Sequence, residues 1–77
     1  MTGYEVYECM KRAASERTGK KVRDADVARG ANVHKNLLYE WKSGRSNPKI
    51  EAVYRICKYL NTSIAVFCDL AFDDKTE

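Results

Sequence analysis

One histidine, one proline, one tryptophan and three cysteines are all that the 77-residue chain holds of these types, and no apolar run approaches the length of a membrane span. Each scarcity excludes a class of protein. Cys9, Cys57 and Cys68 are odd in number, widely spaced and without a C-x-x-C pair. They therefore suit neither a disulfide framework nor a zinc site, and His34 is the only other soft ligand. They read as three reduced thiols, with Cys57 a small core residue, which together with an N-terminus unlike a signal peptide points to the cytoplasm and away from membranes. Catalysis finds no footing either. "TGKK" (18–21) fails as a phosphate loop because Ala14 stands where its first glycine belongs and Lys21 where its Ser/Thr belongs. No Ser/His/Asp or Cys/His set and no carboxylate pair in a concave site is discernible, so no enzyme, metal or cofactor is expected.

The chain is long enough for one domain, 1–77, with a folded core over about 4–71 and an acidic tail at 72–77. Its 44% hydrophobic and 32% charged residues are ordinary for a globular domain and leave disorder to the ends. Usual per-residue scaling gives a total stability of roughly 4–12 kcal/mol. The formal charge of +3 is unevenly spread: residues 1–68 hold thirteen Lys/Arg against seven Asp/Glu, whereas Asp69, Asp73, Asp74 and Glu77 face only Lys75 in the last nine. A basic body suits a polyanionic partner, or simply a soluble charged face.

Apolar spacing predicts five short helices and no strand. Tyr7, Met10 and Ala14 mark an inward stripe over 4–17, with Glu5, Glu8, Lys11 and Arg12 turned away. A second helix over 24–31 places Val27 and Ala28 inward and ends at Asn32, a residue that tolerates left-handed backbone. A third is expected from about His34 to Ser43, stopped by Gly44. The fourth, about 49–60 after Pro48, carries Ile50, Val53, Tyr54, Cys57 and Leu60. Ser63 suits the cap of a fifth over 64–71, with Val66, Phe67 and Leu70 apolar.

The link of about three residues around Asn32 forces helices two and three to cross steeply, as in a helix-turn-helix. Leu38 and Trp41 then face the core while Lys35, Asn36 and Tyr39 face out. Such an outward face has base-reading chemistry: lysine suits guanine O6/N7 and asparagine suits adenine N6/N7. Arg23, Lys42, Arg45, Ser46, Asn47 and Lys49 are placed to reach phosphates, which give affinity without sequence information. His34 is a further phosphate candidate at the helix start. The cluster at 17–23, with Lys20 and Lys21, reads either as a soluble loop or as more phosphate contact.

Residues 22–67 resemble the Cro/CI-type phage-repressor helix-turn-helix family, also called the xenobiotic-response-element family. The matching segments are "VRDADVARGANV", "LLYEW" followed by "SGRSNP", and "IEAVYRICKYLNTSIAVF". The resemblance implies a compact all-α, five-helix domain with its helix-turn-helix at helices two and three. It also implies a double-stranded DNA-binding transcriptional regulator, a repressor acting as a homodimer on a near-palindromic operator. The family's base-reading positions fall on Lys35, Asn36 and Tyr39, and its phosphate-contacting positions on Asp24 and on Ser43 and its neighbours. Asp24 stands where the family commonly has glutamine, Arg23 where it has a Thr/Ser cap, Asn32 where it has glycine and His34 where it has serine. Phe67, Leu70 and Phe72 offer more apolar surface than a short end helix buries alone, and read as core closure or as a dimer seam. The competing expectation is a protein-interaction module of the same fold, such as an antitoxin, with a partner at the C-terminal helix and DNA binding secondary.

Overall fold

The computed structural model describes residues 2–71, and within them the chain forms five α-helices and no strand. Helix α1, Gly3–Thr18, begins with a reciprocal cap: the Thr2 hydroxyl accepts from the Glu5 N–H at 3.1 Å, and the Glu5 carboxylate accepts from the Thr2 N–H at 2.8 Å. Helix α2, Asp24–Ala31, starts from extended Arg23, whose N–H donates to the Asp26 carboxylate. It ends where Asn32 turns left-handed at φ 58°, as its residue type predicted. Helix α3, Leu37–Ser43, stops at Gly44, also left-handed. Helices α4, Ile50–Leu60, and α5, Ile64–Ala71, are separated by left-handed Asn61 and the Ser63 cap, whose hydroxyl accepts from the Ala65 and Val66 N–H groups.

Three expectations change. The third helix begins at Leu37 rather than near His34, because residues 34–37 close a tight turn first. On α4 the buried arc is Val53, Ile56, Cys57 and Leu60, while Ile50 and Tyr54 are exposed. Ile50 shares the stripe's spacing but sits in the first turn, beyond the core it was expected to cover. On α5 only Phe67 is fully buried, and Val66 and Leu70 face outward.

The core draws on all five helices. Helix α1 packs against α5 and α3, and α2 lies on α4. A chain of aromatic contacts crosses it: Tyr4 meets Tyr7, Tyr7 meets Trp41 edge-on at 6.4 Å between centroids, and Trp41 meets Phe67 at 6.2 Å. Cys57 sits among these residues as a small apolar group, its thiol pushed up to about 11 by burial and by the nearby Cys68. Loops are tied down by side chains: the Ser15 hydroxyl accepts from the Val22 N–H, Arg17 donates to the Leu60 carbonyl, and Arg55 donates to the Asn32 carbonyl. No helix among the described residues is long and apolar enough to cross a membrane.

Trp41 bridges α1 and α5, yet its buried indole N–H has no hydrogen-bond partner among the described residues. Truncation to alanine therefore removes packing without losing a hydrogen bond, at a cost of roughly 3–5 kcal/mol. Urea melts should show the Trp41→Ala midpoint falling steeply, with a large share of the total stability lost. Trp41→Phe, which keeps an aromatic contact and removes the orphaned donor, should retain most of the stability.

Candidate nucleic-acid interface

The crossing of α2 and α3 is set by the five residues 32–36. Left-handed Asn32 reverses the chain, and the Val33 N–H donates to the Ala28 carbonyl at 3.0 Å. The Leu37 N–H then donates to the His34 carbonyl at 3.0 Å, and the Asn36 N–H donates to His34 Nδ1 at 3.1 Å. The next carbonyl, that of Asn36, accepts from the Glu40 N–H and opens α3.

Asn36 thus caps α3 with its backbone alone, and its side-chain amide makes no cap hydrogen bond. Lys35, Asn36 and Tyr39 are all exposed, Tyr39 at 62%, and lie within one turn of each other at the entrance to α3. Leu38 and Trp41 on the opposite face are buried, and Leu37 packs partly against the core. Arg23, Lys42, Ser43, Arg45, Asn47 and Lys49 are exposed at the start of α2 and around the end of α3. Ser43 donates to the Glu40 carbonyl. Ser46 is half-buried, and its covered hydroxyl has no partner among the described residues.

Sequence reasoning missed a polar cluster at the start of α2. Asp24 Oδ1 accepts from the Tyr7 hydroxyl at 2.6 Å and from Lys11 Nζ at 2.6 Å. Lys11 also reaches Glu8 at 3.2 Å, and Glu8 accepts from the Tyr4 hydroxyl. Lys11, expected to face away from the fold, therefore reaches α2, and Glu8, expected to do the same, is half-buried against Tyr4 and Lys11. Asp24, the counterpart of a phosphate-contacting residue in the resemblance, is tied inward instead. The only advance signal was Tyr7 and Lys11 four residues apart on α1 with an acid at the unusual position. Burial opposes the Asp24 charge, but hydrogen bonds from Lys11 and Tyr7, with help from nearby Lys42, outweigh it and hold the carboxyl below its ordinary range. Glu8 is lowered chiefly by its hydrogen bond from Tyr4. Burial likewise opposes the Lys11 charge, yet Asp24 and Glu8 raise its pKa overall. The Tyr7 hydroxyl is pushed far up by burial and by its bond to Asp24.

A family model for helix-turn-helix domains matches residues 14–67, more than two thirds of the chain and the whole of α2, α3 and α4. The chain belongs to the Cro/CI-type helix-turn-helix family. It is a DNA-binding regulator of the helix-turn-helix kind. No curated protein and no solved structure matched it.

In this helix-turn-helix protein the Asp24 cluster makes stability depend on pH at both ends. Asp24 and Glu8 are depressed in the fold, so their stabilisation is complete above the unfolded carboxylate value near 4 and is lost as pH falls through their folded values. Lys11 is raised, so its share is complete below about 10 and is lost as pH rises through its folded value. Thermal melts should show a plateau between these limits. Asp24→Asn should flatten the acid limb, and an unchanged limb would mean that other carboxylates set it. Tyr7→Phe, removing only the hydroxyl, should cost about 1 kcal/mol, or roughly 4–8 °C in Tm.

Proposed function

We propose that this helix-turn-helix protein is a sequence-reading repressor that acts by occupying operator DNA as a dimer. The observation that carries the reading is the free amide of exposed Asn36, beside exposed Lys35 and Tyr39, on a helix whose opposite face is locked into the core. Rigid backing matters because bidentate base contacts need a donor–acceptor pair held in one register. In this reading Asn36 takes an adenine edge, Lys35 a guanine edge, and Tyr39 an adjacent base or sugar. Arg23, His34, Lys42, Ser43, Arg45, Asn47 and Lys49 hold phosphates on either side and fix the register, while Ser46, expected among them, has its hydroxyl covered by the fold. Asp24 contributes through its partners, keeping its charge on Lys11 and Tyr7 rather than toward the phosphates.

The dimer seam falls on α5. Phe67, expected to share in it, is wholly buried against Trp41 and serves core closure. Leu70 and Val66, 44% and 47% exposed and one turn apart, supply the outward apolar surface, and Phe72 lies outside the described residues. A symmetry mate joined there would read a second half-site about 34 Å away. The same α5 surface supports the second reading, a partner protein docked on this helix with DNA binding secondary.

Selection from random duplex DNA with the purified protein tests the first reading. A near-palindrome should be recovered, and its consensus should be lost in the Lys35→Ala, Asn36→Ala double variant. Single-phosphate variants such as Lys49→Ala should instead weaken all sequences alike and reduce the salt slope by about 1. Leu70→Asp should halve the particle mass at micromolar concentration. Recovery of no consensus sequence would reject the reading and turn attention to the α5 partner.

A further inference from the structure

Away from α3, three open clefts of about 310, 410 and 470 Å³ adjoin one another on the side formed by α1, α2 and α4, and Tyr59 lines all three. No residue of α3, or of the loop that follows it, lines any of them. Gly30 in the last turn of α2 makes room for Tyr59: a Cβ there would lie 2.1 Å from the ring, so glycine lets the ring lie against the helix. The rest of the ring is open, at 42% exposure. Tyr54, on the preceding turn of α4, is 52% exposed, with Lys58 Nζ 5.9 Å from its ring centroid. The result is an exposed aromatic ridge with open hollows on both sides.

Charge around the ridge is predominantly positive. Arg17, Lys20, Lys21 and Lys58 line the clefts, and among the described residues none of them is within ion-pair distance of a carboxylate. Asp26, the only acid lining them, is already engaged by the Arg29 guanidinium and the Arg23 N–H. Lys20 and Lys21, which the sequence left open between a soluble loop and a phosphate contact, thus belong to this surface. Exposed aromatic rings among cations without ion-pair partners fit a ligand that alternates apolar groups with anions. Duplex phosphates would meet the tips of the lysines but leave the hollows between them empty.

We propose that the Tyr54–Tyr59 face docks a partner protein through an extended acidic segment interrupted by apolar residues. The apolar side chains enter the hollows beside Tyr59, and the carboxylates pair with Lys20, Lys21 and Lys58. Because no α3 residue takes part, a docked partner leaves the base-reading side chains free, and the protein joins that partner to DNA in one complex. The inference does not rest on the operator reading.

The test uses the full ¹⁵N-labelled chain and a synthetic peptide of alternating glutamate and leucine, with a glutamine-for-glutamate peptide as control. Addition of the acidic peptide to millimolar concentration should shift the amides of Tyr54, Lys58, Tyr59 and residues 20–22, and the control peptide should not. Lys21→Glu with Lys58→Glu, both at exposed positions that spare the core, should weaken peptide binding about tenfold, as two exposed charge pairs together allow. The same residues should shift when the protein is already bound to duplex DNA. The proposal is overturned if no shift occurs, if the shifts centre on Lys35–Tyr39, or if duplex DNA competes the peptide away, which would assign the face to nucleic acid.

Discussion

Tyr7 holds both helices of the helix-turn-helix at once. Its ring meets Trp41 of α3 edge-on, and its hydroxyl donates to Asp24 at the first turn of α2. Helices of seven and eight residues are too short to persist alone, so their crossing angle must come from outside. Tyr7 supplies that external reference through one rigid side chain, wholly buried and packed on Tyr4 and beneath Lys11. The recognition helix is thereby registered to the longest helix of the fold, with Phe67 of α5 closing the far side of Trp41.

The electrostatics follow from the same side chain. An acid at the start of α2 favours the helix N-terminus, whose unpaired N–H groups attract negative charge, but the same acid would repel a DNA phosphate. The cluster reconciles the two: Lys11, raised in pKa, and Tyr7 absorb the Asp24 charge within the fold, while Lys42 adds positive potential from α3. The exposed lysines and arginines beyond the cluster are then free to act outward. The arrangement needs no fully buried ion pair, because the Asp24 and Lys11 side chains keep partial contact with water.

Much of this was legible in the residues themselves. Asn32, Gly44 and Ser63 carry the local backbone and capping preferences that end or start helices, and the structure uses each as expected. The inward faces of Val27, Ala28, Leu38 and Trp41 followed from 3.6-residue spacing. Spacing could not say how far along α4 the core extends, so Ile50 and Tyr54 were expected inside. Nor could it tell that His34 would spend its ring nitrogen on a turn and delay α3 by three residues.

The sequence by itself determined the number of helices, the ends of all but the start of α3, the family and the side chains offered at the entrance to α3, because each rests on local propensity or on a gapless pattern of apolar spacing. Tertiary structure alone decided the rest. Asp24 meets Tyr7 and Lys11 across 17 and 13 residues, Phe67 turns inward because Trp41 waits there, and Tyr59 finds Gly30 across the α2–α4 contact. These pairings join residues distant in the chain, and their geometry exists only after the helices have packed. No local rule encodes a partner that far away.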